Sequence, residues 1–384
     1  MPCPHFYKKG IDYMGLNKDG FYTHRDIDKY NCEWNIVYGE RAPGKSYDLK
    51  REGLILAYKE KKPVFGLIRR NKVDIDTHEV EGYFLDRDAN AVQEATNGEW
   101  DYIAYYRKAL WFARSEEQPD GTMRQIRGTQ VGEVFALSTA THYKSTGHPY
   151  IKWIIFEEFI TDTNYLPNEP LKLQNLISTI CRKDDKVRIW LIGNTLSRVC
   201  PYFAEWGLKN IRKQKVGTID IYHHYNTEGD VIDIAVEHCP PSPHKSKLFF
   251  GRASKSIQGG AWQTGEYPHL PDDYNKFTEC YSLTYESIDR FKFRVKLMIH
   301  EEEGYLITYI YPQSDNKSDL ERKISSAYST DIMTTPTIRP DKYKAEAIIA
   351  ECFRDNKVVY SDNQTAQDFV DSCKAELKAP FKII

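Results

Sequence analysis

Residues 39–46 read GERAPGKS and follow the apolar run WNIVY at 34–38. Glycine, four residues, then glycine, lysine and serine is the spacing of a phosphate-binding loop, provided a strand enters it and a helix leaves it. Both flanks fit: WNIVY reads as a buried strand, and YDLKREGLILAYKEKK at 47–62 has the texture of a helix. In that frame Gly39, Glu40, Arg41, Ala42, Pro43, Gly44, Lys45, Ser46 and Tyr47 wrap a nucleotide. Their backbone N–H groups and the helix N-terminus face the phosphates, Lys45 reaches the terminal ones, and Ser46 binds the Mg2+ that accompanies ATP. The competing reading is a chance string in a surface loop, which the flanking strand and helix argue against.

Such a site needs carboxylates delivered by a second strand, and YIKWIIFEEF at 150–159 has that form. Four apolar residues, Trp153 to Phe156, end in Glu157 and Glu158. One carboxylate holds the metal and its waters and the next polarises the attacking water, so adjacent positions at one strand end suit the two tasks. A third apolar run, VRIWLIGNT at 187–195, ends in Asn194 and Thr195. Asn194 is the candidate sensor of the terminal phosphate, with a plain turn asparagine as the alternative. VFGLIRR (64–70) and VFALS (134–138) supply two further strands. The expected fold class is therefore α/β, a P-loop ATPase domain of the ASCE type with a mainly parallel central sheet.

The chain's 384 residues, 41% of them hydrophobic, are enough for a full core and two domains. No window approaches the roughly 18 apolar residues of a membrane span, and MPCPHFYKKG has no secretory pattern, so no membrane partner is expected. Eight cysteines without paired short spacings suit reduced thiols, and His238, Cys239 and His244 lack the second pair of a zinc site. A net charge of -2 means that a polyanion must be held by local patches.

From 35 to 206 the chain resembles the DNA-encapsidation ATPases of small phi29-type tailed phages. The likeness is carried by NIVYGERAPGKSY, LIRR, YKSTGHPYIKWIIFEEFITDTNYLPNEPLKLQNLISTICRK and VRIWLIGNTLSRVCPYF, in order and spacing. The resemblance implies a homo-oligomeric ring, a pentamer, that sits on the portal of an empty capsid and drives double-stranded viral DNA inward with ATP and Mg2+. It also implies a structural packaging RNA as a partner, residence in the host cytoplasm and transiently at the portal vertex, and absence from the mature virion. By position, Arg182 falls on the arginine finger offered to a neighbouring subunit, and Lys144 on a lysine of subunit-to-subunit signalling. Arg41 matches the arginine inside the loop and competes with Arg182 for the finger role. The family has aspartate then glutamate where this chain has Glu157 then Glu158, which puts the metal geometry in question.

Beyond about residue 205 the texture changes. KQKVGTIDIYHHYNTEGDVIDIAVEH reads as further sheet, prolines 240, 241 and 243 mark a boundary, and Lys245, Lys247, Arg252 and Lys255 lie in a glycine-rich basic stretch. The expected division is an ATPase domain over 1–240, a lid or linker over 241–280, and a C-terminal domain over 281–384. In DRFKFRVKLMIH, Arg290, Lys292, Arg294 and Lys296 alternate with apolar residues, so a strand puts all four cations on one face. This strand, followed by YLITYIYP and two helical segments, resembles the start of the α+β ribonuclease-H-like nuclease domain of large terminases. Cations stand there where the first strand of a working nuclease carries aspartates, so the expectation is a vestigial nuclease that binds nucleic acid. A solvated sheet face is the alternative. For the whole chain, the alternatives are a terminase with both ATPase and endonuclease activity, and a nucleic-acid docking protein with a relict ATP site.

Overall fold

The computed structural model describes residues 15–41, 44–85, 90–143, 147–181, 186–243, 247–248, 250–251, 254, 262, 264–313, 322–325, 331–376 and 380–381. Ala42, Pro43, Lys144, Arg182, Lys245, Arg252 and Lys255 lie outside them. The chain forms two units, one of residues 1–159, 171–195 and 213–261, the other of 160–170, 196–212 and 262–384. These differ from the contiguous spans read in the sequence. Two segments, 160–170 and 196–212, pack with the C-terminal residues.

The first unit is built on nine strands: β1 Trp34–Gly39, β2 Phe65–Arg69, β3 Tyr102–Tyr106, β4 Ala109–Glu117, β5 Met123–Ala136, β6 Trp153–Glu157, β7 Arg188–Asn194, β8 Thr218–Tyr225 and β9 Val231–His238. Their order across the sheet is β3-β4-β5-β2-β6-β7-β1-β9-β8. The six strands from β5 to β9 run parallel, and antiparallel pairs extend the sheet at both sides. Near-continuous apolar runs suit strands covered on both faces, and β6 and β1 are buried along almost their whole length.

The helix Lys45–Glu60 leaves β1 and packs Leu49, Leu54 and Ala57 into this core. Gly53 sits at its closest approach to the sheet, where a Cβ would come within 2.3 Å of the Phe65 ring. The Trp153 indole N–H donates to the Leu49 carbonyl at 3.0 Å, fixing β6 against the same helix.

The second unit holds a six-stranded sheet: β10 Phe277–Glu286, β11 Lys292–His300, β12 Leu306–Pro312, β13 Lys323–Ser325, β14 Thr334–Thr335 and β15 Val358–Tyr360. The order is β14-β13-β10-β11-β12-β15, in which β10, β11 and β12 form an antiparallel meander and β13 runs parallel to β10. The basic strand is thus the second of this meander, a correction to the sequence reading. The first is β10, whose bulge between Glu279 and Tyr281 breaks the alternation that would have marked it. Along β11, Phe293, Val295 and Leu297 are buried with Ile349 and Phe369 of the helices Lys344–Arg354 and Asn363–Ala375. Lys292, Arg294 and Lys296 take the alternate positions on the opposite face, whereas Arg290, read as the first cation of that strand face, lies before the strand in a turn with φ 62.

Candidate functional site

Strands β1, β7 and β6 run parallel and end at one edge of the sheet, where Gly39 lies opposite Asn194 and Glu157 opposite Ile192. β7 therefore lies between the loop strand and the carboxylate strand. The Thr195 N–H donates to the Gly39 carbonyl at 3.1 Å, so the end of β7 is tied to the start of the loop. Gly44 caps the following helix with φ 94, a left-handed conformation that a side chain would strain. The chain thereby turns so that the N-terminus of a 16-residue helix faces the same edge.

A cavity of about 250 Å3 opens there, and its walls include Lys45, Ser46, Glu157, Glu158 and Asn194. Arg41 and Tyr47 border it as well. The buried Lys45 ammonium donates to the Glu40 carbonyl and, at 3.3 Å, to Asn194 Oδ1. Burial lowers its pKa, with Glu157 and Glu40 among the groups that oppose the shift. An amine desolvated in this way gains from an incoming anion. Glu40 is buried too, and its carboxylate accepts from the Ser242 N–H.

The two glutamates have different surroundings. Glu157 is buried, and burial raises its carboxyl above the ordinary range, while hydrogen bonds from Ser46 and Tyr83 pull it back. The Tyr83 hydroxyl donates to Glu157 Oε1 at 2.8 Å. Glu158 has a side chain 63% exposed and a φ of 57, an unusual conformation for a residue of this kind. Two arginines hold it. Arg69 pairs with Glu158 Oε2 at 3.3 Å. The buried Arg70 donates to the Glu158 carbonyl at 3.0 Å and to the Phe159 carbonyl at 2.9 Å.

Lys45, Ser46, Glu157, Glu158, Asn194 and Arg41, all named from the sequence, line one cavity. Gly39 and Glu40 lie beside them at the end of β1. Among the described residues, those that sequence reasoning missed are Arg69, Arg70 and Tyr83. The available signal was the arginine pair closing FGLIRR, which lies in the LIRR stretch that carries the family resemblance but was given no role in the site.

In the second unit, Lys296 pairs with Glu279 at 2.7 Å and Arg290 with Glu286 at 3.5 Å. Glu286, at the end of β10, also pairs with Lys323 of β13. The first strand therefore does carry a carboxylate, but two cations occupy it. Among the described residues no group of three or more His, Cys, Asp and Glu is placed to hold a metal ion.

The sequence profile of the Podovirus DNA encapsidation protein (Gp16) matches residues 16–228. Over 250 residues the chain is 28% identical to the DNA packaging protein of Bacillus phage phi29, covering 64% of this chain and 65% of that one. It is 30% identical over 182 residues to the DNA packaging protein of Bacillus phage B103, covering 47% and 49%. The alignments thus span 65% or less of these relatives' own lengths. A chain of the bacteriophage phi29 viral genome packaging motor assembly superposes with TM-score 0.52 at 20% identity, covering 90% of this chain and 96% of that one. A chain of the Phi-28 DNA packaging motor does so with TM-score 0.50 at 19% identity, covering 93% and 99%. At those identities the structural likeness bears on the fold, whereas the profile match takes in more than half of the chain. The chain belongs to the Podovirus DNA encapsidation protein (Gp16) family.

Proposed function

We propose that the chain is a motor subunit that hydrolyses ATP in the Lys45–Glu158 cavity and uses the energy to drive double-stranded viral DNA through the portal into a preformed capsid. The observation that carries this reading is the convergence of a desolvated lysine, a hydroxyl, two carboxylates and an asparagine on one cavity at the C-terminal edge of parallel strands. ATP phosphates meet the helix N-terminus and the Lys45 ammonium, which exchanges its 3.3 Å contact to Asn194 for a stronger charged partner. Glu158, exposed to the cavity, accepts a proton from the attacking water, and Asn194 reports whether the terminal phosphate is present. The hydroxyl of Ser46 and the carboxylate of Glu157 form the hard oxygen donor pair that suits Mg2+, which when bound neutralises phosphate charge. Tyr83 steadies one oxygen of the longer Glu157 side chain, which is how glutamate serves where the family has aspartate.

The site is completed in a ring, where Arg182 of one subunit reaches its neighbour's ATP and Lys144 takes part in signalling between subunits. The packaging-motor relatives support this assembly, and a packaging RNA and a station at the portal vertex in the host cytoplasm are proposed with it from the sequence resemblance. The second unit is read as ribonuclease-H-like from its meander and flanking parallel strands. Glu286, held by Arg290 and Lys323, favours contact with nucleic acid over cleavage.

The test is turnover across protein concentration, with and without duplex DNA, for the wild type and for Glu158→Gln. Wild-type turnover should rise with assembly and with DNA. Glu158→Gln should bind ATP normally and lose roughly 10^2 to 10^4 in kcat, the range of a general base. Undiminished hydrolysis by Glu158→Gln would overturn the assignment, and magnesium-dependent cleavage of the DNA by the full chain would restore the terminase-nuclease reading.

A further inference from the structure

Strands β3 and β4 form a hairpin in which Tyr106 pairs with Ala109, so Arg107 and Lys108 alone make the turn. Their φ values are 51 and 66, left-handed at both positions. Two-residue turns of this kind favour Asn-Gly, because other side chains are strained there. The chain places two long cations in the turn instead. Beside them the Tyr106 ring, 45% exposed, has the Arg107 guanidinium 5.0 Å and the Arg127 guanidinium 4.7 Å from its centroid.

Among the described residues none of Arg107, Lys108 and Arg127 is ion-paired with a carboxylate. Nearby Arg114, by contrast, pairs with Glu116 at 2.5 Å. Arg127 donates from Nε to Gln125 Oε1 at 3.1 Å. Lys108 sits 5.0 Å over the Tyr143 ring. With a net charge of -2, the chain has no general excess of base to account for three unpaired cations in one place.

The cluster is separate from the ATP cavity. β3 is the edge strand and runs in the same direction as β5, but the register sets Tyr106 and Ala109 level with Glu133, Gly66 and Ile154, three residues short of Glu157, and the turn lies four strands from β6. At about 4.8 Å per strand that is roughly 19 Å.

We infer that Arg107 and Arg127, organised on the Tyr106 ring, together with Lys108 over the Tyr143 ring, form a contact surface for the phosphate backbone of duplex DNA. This rests on the proposed function. A guanidinium stacked on an aromatic face keeps its N–H edge directed outward and loses less freedom on meeting a phosphate, and that planar edge suits two phosphate oxygens. The exposed neighbours Gln125 and Thr129 are polar. The left-handed turn is what sets the cations at the tip, and its strain is retained where an Asn-Gly turn would relieve it.

The experiment measures duplex binding by the full chain across salt concentrations, using mixed-sequence DNA. Replacing the turn by Arg107→Asn with Lys108→Gly should raise Tm while weakening DNA binding, and should lower the slope of log affinity against log salt by up to about twice 0.9. Arg127→Gln should lower it by about 0.9. Tyr106→Phe should bind as the wild type does, and Tyr106→Ala should bind more weakly although no charge is removed. A turn variant that is more stable and binds DNA with wild-type affinity and slope would overturn the inference while leaving the ATPase reading intact. Normal DNA binding with loss of concentration-dependent turnover would also overturn it, assigning the cluster to a neighbouring subunit. A wild type that binds no duplex at all would remove both this inference and the proposed DNA path.

Discussion

Arg70→Met tests whether Glu158, the proposed catalytic carboxylate, is held in place by a neighbouring strand. Arg70 is buried and gives one charged N–H to the Glu158 carbonyl at 3.0 Å and another to the Phe159 carbonyl at 2.9 Å. Hydrogen bonds from a charged group contribute about 1.5 to 3 kcal/mol each, so losing the pair removes about 3 to 6 kcal/mol. Methionine fills most of the same volume, and its own apolar surface offsets part of that loss. The net destabilisation should be about 2 to 4 kcal/mol, read by urea unfolding followed through tryptophan fluorescence. The functional effect should exceed what stability explains. Glu158 occupies a left-handed conformation at φ 57, and without the Arg70 clamp on its own carbonyl it should relax toward an ordinary one. Under conditions where the variant is still folded, ATP affinity should stay within a few-fold of wild type while kcat falls by at least about tenfold, a loss near 1.4 kcal/mol in transition-state stabilisation. A folded Arg70→Met protein with wild-type kcat would show that Glu158 needs no such support, and the reasoning would fail.

Lys45→Ala should abolish ATP binding, measured by calorimetry, whereas Glu157→Asp should retain magnesium-dependent turnover and Glu157→Ala should lose it. Arg182→Ala should keep ATP binding and lose turnover by a factor of about 10^3 to 10^5; partial recovery on mixing with Glu158→Gln subunits would locate it in a neighbour's site, and normal activity of Arg182→Ala alone would pass the role to Arg41. Neutralising Arg290, Lys292, Arg294 and Lys296 together should weaken binding to nucleic acid of any sequence. The salt slope should fall by less than about four times 0.9, because Lys296 and Arg290 already hold carboxylates; an unchanged slope would leave the stripe a solvated face. Glu237 is buried beside Tyr22, and burial pushes its carboxyl up to about 8 against an ordinary 4.5. The folded chain keeps that proton where the unfolded chain has lost it, so wild-type stability should decline as pH rises from about 5 to about 8, and Glu237→Gln should flatten the decline in Tm.

The readable parts of the proposed ATP site are those whose chemistry is written in consecutive residues. GERAPGKS carries its own spacing, and each of WIIFEE and IWLIGN is an apolar run with its polar end attached. Arg69 and Arg70 were not readable, because their role depends on β2 lying beside β6, a neighbour nearly ninety positions away in the chain. Tyr83 reaches Glu157 from the short helix Thr77–Tyr83, and nothing local to that helix points to a carboxylate. The turn at Arg107 and Lys108 was hidden for a different reason. It lacks the Asn and Gly that flag such turns, so nothing local in the sequence marks a tight hairpin there.

The two sheets also show why the same residue type at a strand end can mean opposite things. β6 ends in Glu157, whose hydrogen bonds come from neutral hydroxyls of Ser46 and Tyr83 and whose setting is a cavity. A carboxylate so placed keeps its charge available to a cation that enters later. β10 ends in Glu286, where Arg290 and Lys323 already supply the positive charge. A metal ion arriving there must displace side chains tethered to the fold, and its binding is weakened by the cost of leaving those cations without their partner. Removing the tethered charges is therefore the discriminating change. If Arg290 and Lys323 are what closes the second sheet to metal, Lys323→Ala with Arg290→Ala should create weak divalent-cation binding, measurable by calorimetry with Mn2+ on the Glu157→Ala background, in which the carboxylate of the first sheet open to a cation is removed. No binding in that variant would mean that Glu286 lacks further oxygen ligands, and that the second unit is kept from metal chemistry by the composition of its strands and not by the pairing of one carboxylate.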